Sequence, residues 1–131
     1  MPKKKILIVD DEKSLTTLLK LNLEEAGDYE VRVENWAEDA LPAAREFKPD
    51  LVLLDIIMPR MSGGDVVAQF RADPALKDTP IVFITAAIAP HIVDEMEGRI
   101  PTAADDLPCL AKPVSLEKVI EAIERYARKP T

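Results

Sequence analysis

Four short apolar runs in this chain end on residues that can do chemistry. Ile6 to Val9 gives way to Asp10, Asp11 and Glu12, Leu51 to Leu54 ends on Asp55, Ile81 to Ile84 ends on Thr85, and Cys109 to Ala111 ends on Lys112. A strand buried on both faces has no use for an acid at its last residue unless that acid meets solvent, metal or substrate. Each residue alone has a bland account: an Asp that starts a turn, a Thr chosen for β propensity, a solvated Lys before a proline. Convergence of five of them on strand ends is harder to dismiss. Three carboxylates within a few ångströms repel, so at neutral pH they raise a pKa or bind a cation. Hard oxygen ligands on short side chains favour Mg2+, which accepts one or two carboxylates, keeps waters and completes its shell with a substrate phosphate oxygen. Thr85 supplies a hydroxyl donor and Lys112 a point positive charge, both suited to phosphoryl oxygens. Such a set can accept a phosphoryl group on Asp55 and later lose it to water, with positioning and charge neutralisation as the catalysis.

For these side chains to meet, their strands must lie side by side. Leu15, Leu18, Leu19, Leu21 and Leu23 predict a first helix from Ser14 to Ala26, stopped by Gly27. Tyr29, Val31 and Val33 alternate with Glu30, Arg32 and Glu34, the pattern of a half-exposed strand at a sheet edge. Asn35 is expected to cap a helix from about Trp36 to Phe47, with Pro42 kinking it or delaying its start. Ser62 to Asp65 has the pattern of a capping box for a third helix, which runs to about Arg71. Pro90 suits the first turn of a short helix that ends near Gly98. Arg99 to Pro108, with two prolines and two acids, reads as loop. Ser115 then caps a last helix whose apolar stripe is Leu116, Val119, Ile120 and Ile123. Strand and helix alternate five times, which predicts an α/β fold with a doubly wound, five-stranded parallel sheet. With the fully apolar strands central and the second strand at an edge, the economical order is 2-1-3-4-5. Right-handed crossovers then deliver Asp10, Asp11, Asp55, Thr85 and Lys112 to one end of the sheet.

The 131 residues fit a single domain, with its core at about residues 4–128. A net charge of −7 argues against non-specific binding to nucleic acid or to an anionic membrane, since both need a basic face. Cys109 is the only cysteine, so neither an intramolecular disulfide nor a cysteine zinc site can form, which suits a reducing cytoplasm. Lys3 to Lys5 lead into only four apolar residues, too few for a signal-peptide core, and are expected to solvate the first edge of the sheet. The four glycines give neither G-x-G-x-x-G nor G-x-x-x-x-G-K, so a nucleotide-binding loop is not indicated. Trp36 and the methionines are assigned to packing, and the lone histidine, His91, to a surface or capping place at a helix start.

At this point the chain resembles, over essentially its whole length, the receiver domain of two-component response regulators. The matching motifs are ILIVDDE at Ile6 to Glu12, LVLLDIIMPRMSGGDV at Leu51 to Val66, PIVFITA at Pro80 to Ala86 and LAKP at Leu110 to Pro113. The resemblance implies the flavodoxin-like receiver fold, with Asp55 as phosphoacceptor. It also implies that Asp11 and Asp55 bind Mg2+ directly, that Asp10 acts mostly through water, and that the backbone carbonyl of Ile57 is a further ligand. Thr85 and Lys112 would contact the phosphoryl group, and the Lys112–Pro113 peptide would be cis. In this family the positions two after the acceptor and two after the Thr flank the attacking water. Here they are Ile57 and Ala87, neither able to hydrogen-bond it through a side chain, which implies a long-lived phosphoryl group. Three residues before Lys112, where the family generally carries an aromatic switch residue, this chain has Cys109. The switch candidates are therefore Thr85 and Cys109, with Ala86 to Leu107 as the stretch able to move.

The implied function is a signalling module, activated by phosphorylation, that takes a phosphoryl group from a histidine kinase or phosphotransfer protein and then switches its contacts with an output protein. It would catalyse its own aspartyl phosphorylation and dephosphorylation without turning over an external substrate. The resemblance leaves open a homodimer, and the end of the chain at Thr131 is read as either a stand-alone regulator or a fragment. A rival is a receiver-like interaction domain that has lost the switch; the five intact site residues disfavour it. A metal-dependent phosphatase is disfavoured because the first strand lacks a second Asp two residues after the first.

Overall fold

Residues along the apolar strands alternate between two cores, which is what a sheet covered on both faces requires. The computed structural model describes residues 3–86, 99–101 and 106–128, with 99–101 and 106 described by their backbone alone. Strands β1 (Lys4–Val9), β2 (Tyr29–Glu34), β3 (Leu51–Asp55) and β4 (Ile81–Thr85) are joined by helices α1 (Lys13–Glu25), α2 (Ala40–Phe47) and α3 (Gly63–Ala72). Strands β5 (Arg99–Pro101) and β6 (Asp106–Ala111) and helix α4 (Leu116–Tyr126) complete the described elements. Leu7, Val52, Leu54 and Phe83 point into the core under α2 and α3, with Val66, Val67 and Phe70. Ile6, Ile8, Leu53 and Ile84 point into the other, with Leu19 and Leu23 of α1 and Val119 and Ile123 of α4.

The sheet order is β2-β1-β3-β4-β6-β5, so the five parallel strands follow the expected 2-1-3-4-5 order. The addition is β5, antiparallel to β6 at the far edge. Arg99 to Pro108 is therefore not all loop: β6 pairs with β4 only over Cys109 to Ala111, the stretch expected to be strand, while Asp106 to Pro108 pair with β5.

Three other local expectations need correcting. Asn35 does not cap a helix; its amide donates to the Asp10 carbonyl at 2.8 Å and to Thr16 Oγ1 at 3.0 Å. The chain instead makes a 3-10 turn over Ala37–Asp39 before α2, which places Pro42 in the first helical turn, where its missing N–H costs nothing. Lys4 and Lys5 are not on an edge, because β1 lies between β2 and β3; Lys4 pairs with Glu124 of α4 at 2.8 Å and Lys5 lies over the Phe47 ring. Trp36 does not pack in a core: it is 44% exposed. Gly27 has φ +95°, the left-handed conformation of a helix stop, and Ser62 with Asp65 forms the capping box of α3. The short helix expected over Pro90 to Gly98, together with His91 and Ala87, lies outside the described residues.

Candidate functional site

The carboxyl ends of β1, β3, β4 and β6 meet at one end of the sheet. Asp10 follows β1 and is fully buried, because its N–H donates to the Glu34 carbonyl at 3.1 Å and its own carbonyl takes the Asn35 amide. Its Oδ1 accepts the Glu12 N–H at 2.9 Å, which turns the chain so that Asp11 faces outward. Asp55 closes β3 and is 5% exposed. Carboxylate oxygens of Asp10, Asp11 and Asp55 lie within 4.8 Å of one another. Thr85, buried at the end of β4, is one residue beyond the register partner of Asp55 and accepts the Lys112 N–H on its carbonyl at 2.9 Å. The Lys112–Pro113 peptide is cis, as expected.

Lys112 reaches back across this end of the sheet. Its Nζ lies 2.8 Å from Asp10 Oδ2, 3.3 Å from Glu12 Oε1 and 3.6 Å from Asp55 Oδ2. Burial alone would lower its pKa, but Asp10, Asp55 and Glu12 together hold it above the ordinary lysine value. Asp55 moves the other way from a usual salt-bridged carboxylate: burial, then the Asp10 charge, push it up to about 6, against the Lys112 charge and a hydrogen bond from the Ile57 N–H, with Asp11 raising it further. One ammonium therefore faces three carboxylates, and Asp10 Oδ2, though close to Lys112, has no aligned hydrogen-bond donor among the described residues. A buried carboxylate oxygen left in that state fits a hard divalent cation with oxygen ligands.

The loop after β3 is shaped by Gly63. Its N–H donates to the Ile56 carbonyl at 2.7 Å, and a Cβ there would stand 2.5 Å from the Asp55 carbonyl oxygen and 2.8 Å from Ile56 Cα. Only glycine lets the start of α3 come this close to the strand end that carries the site. Cys109 is buried beside Phe83, and burial pushes its thiol up to about 11. The five side chains expected to meet do share this end of the sheet. The sequence reading missed Asn35, which fixes the Asp10 backbone, and Gly63; its one available signal for Gly63 was a glycine at the first turn of a capped helix.

A doubly wound parallel sheet whose acids, Thr and Lys gather beyond the strand ends, at the point where the strand order reverses, defines the class of α/β domains that bind their ligands at this switch point. The chain belongs to the response regulator receiver domain family, whose model matches residues 6–124. It is 37% identical over 126 residues to the alkaline phosphatase synthesis transcriptional regulatory protein PhoP of Bacillus subtilis, covering 96% of this chain and 49% of that protein. It is 35% identical over 127 residues to the DNA-binding response regulator MtrA of Mycobacterium tuberculosis, covering 97% of this chain and 52% of that protein. The chain thus spans about half the length of these relatives. Among solved structures, the Vibrio cholerae chemotaxis protein CheY4 superposes with a TM-score of 0.78 at 29% identity, over 94% of this chain and 98% of that one. The N-terminal domain of a response regulator receiver protein from Methanoculleus marisnigri gives a TM-score of 0.65 at 32% identity, over 92% and 94%.

Proposed function

We propose that Asp55 is the phosphoacceptor of this receiver domain. The observation that carries the proposal is its place: the buried end of the central strand, 3.6 Å from Lys112 and clustered with Asp10 and Asp11. In the transfer, an Asp55 carboxylate oxygen forms a bond to phosphorus as the bond from phosphorus to the donor's imidazole nitrogen breaks, and the electron pair leaves with that nitrogen. Lys112 and the Thr85 hydroxyl contact the phosphoryl oxygens, where negative charge must be balanced. Asp11, Asp55 and the Ile57 carbonyl would hold Mg2+, with Asp10 acting through water. Bound there, the ion neutralises charge shared between the acceptor and the phosphoryl group.

The donor is a histidine kinase or phosphotransfer protein, and the product switches contacts with an output protein in the cytoplasm. The chain acts as one receiver domain over 1–131. Its charge of −7 argues against its making the DNA contacts that MtrA's name implies for that protein. Treatment with acetyl phosphate and Mg2+ should add one phosphoryl mass to the wild type and none to Asp55→Asn. A full adduct on Asp55→Asn overturns the assignment.

A further inference from the structure

The loop between β3 and α3 brings the Ile57 N–H to the Asp55 carboxylate, and it is bent through a strained residue. Arg60 has φ 72°, and around it the Met61 N–H donates to the Pro59 carbonyl at 2.8 Å, a γ-turn in a conformation that residues other than glycine rarely adopt. Strain of this kind persists only where surrounding contacts hold it. Here the holding contacts come from another element. The Arg60 guanidinium lies 5.2 Å from the centroid of the Trp36 ring, and its Nη1 lies 3.3 Å from Glu38 Oε2. Trp36 and Glu38 belong to the turn between β2 and α2. That turn is itself tied to the site, since Asn35, the residue before Trp36, donates to the Asp10 carbonyl.

We propose that Trp36 and Glu38 tether Arg60 so that the strained loop keeps Ile57 turned toward Asp55, making Arg60 and Trp36 positioning residues that set the affinity of the site for Mg2+. This rests on the reading of Asp10, Asp11, Asp55 and Ile57 as the metal site. Trp36 is 44% exposed, so its ring stands at the surface of this turn, where the Arg60 guanidinium meets it. The tether explains why a bulky cation stands where glycine would relax the turn: the side chain is needed, and the backbone cost is offset by its contacts. Both contacts are solvent-exposed, so removing them should change loop protection and metal affinity by about 3- to 10-fold.

Trp36→Leu is the cleanest probe, because it leaves the sequence of the loop unchanged and creates no core cavity. In metal-stripped protein, amide exchange at Ile57, Met61 and Gly63 should quicken by that factor, and calorimetric titration with Mg2+ should give a Kd raised by a similar one. Arg60→Gly should weaken Mg2+ binding although it relieves the strain, Arg60→Lys should restore part of the loss, and Trp36→Leu with Arg60→Gly together should be no weaker than the worse single change. If Arg60→Gly binds Mg2+ as tightly as the wild type or more so, the turn needs only its backbone conformation and the proposal is overturned. A loop loosened by Trp36→Leu at unchanged Mg2+ affinity also overturns it, as does unchanged exchange. A wild type that binds no Mg2+ at all would instead overturn the reading of the site, and the exchange data would still decide whether the tether holds the loop.

Discussion

Asp55 is costly to the folded state in the absence of metal, and its titration gives the sign of that cost. Its folded pKa of about 6 is above the ordinary 3.8, so the native state binds the proton more tightly than the unfolded chain does. Stability therefore falls as pH rises from about 4 to about 6, and the full cost is present above that window. Asp55→Asn, which removes the charge, should stabilise the metal-free protein at pH 7.5 by about 1–3 kcal/mol, with the gain gone by about pH 4. Denaturant melts at the two pH values check this; an unchanged difference between them would mean that burial and Asp10 do not strain the Asp55 charge. Ile57, beside it, has a side chain that is 64% exposed and has no polar atom for an attacking water. Ile57→Asn should therefore shorten the life of the phosphoryl group, measured as the decay of the adduct mass after the donor is removed. The acids were legible in sequence because each interrupts an apolar run at its end. Asn35 was not, because an Asn before a helical pattern reads equally as a cap, and only the fold shows that its amide goes to Asp10.

At the scale of elements, strands buried on both faces and helices with one apolar stripe announced themselves, and their order followed. What stayed hidden was decided by neighbours rather than by local pattern. Strand β5 has three residues and includes Pro101, and Pro108 lies in the half of β6 that pairs with β5 alone. Prolines are tolerated at such a sheet margin but read in sequence as breakers. Pro42 is compatible both with a kinked long helix and with a late start, and only the fold shows that the chain takes the late start, at Ala40. At Gly63 the start of α3 comes so near the end of β3 that an added Cβ would stand 2.5 Å from the Asp55 carbonyl oxygen. Gly63→Ala should destabilise the fold by about 1–3 kcal/mol, because the atoms in the way are backbone and the strand end must shift to admit a methyl group. Gly64→Ala is the control: its Cβ would meet only Ser62 Oγ at 3.6 Å, an ordinary contact, and helix propensity favours alanine. Thermal melts of the two variants should move in opposite directions, and equal losses would count against the close approach at Gly63.

For the molecule as a whole, the acid cluster is one part of a chain with net charge −7, and any salt relieves some of that self-repulsion. A stabilising effect of Mg2+ therefore argues for a site only if it exceeds what screening gives. Screening acts over the entire surface and depends on ionic strength, whereas a ligand bound to the native site adds RT ln(1 + [Mg2+]/Kd) and depends on the residues that hold it. At Mg2+ about 100-fold above Kd the second contribution is about 2.7 kcal/mol, worth roughly 10 °C in a domain of this size. In protein stripped of metal, Mg2+ should raise the melting temperature well beyond NaCl at equal ionic strength. The excess should shrink in Asp11→Asn, where an outward-facing carboxylate of the cluster is lost and no buried contact is disturbed. Equal shifts from the two salts, or an excess that survives Asp11→Asn undiminished, would leave the cluster of Asp10, Asp11 and Asp55 as nothing more than part of an acidic surface.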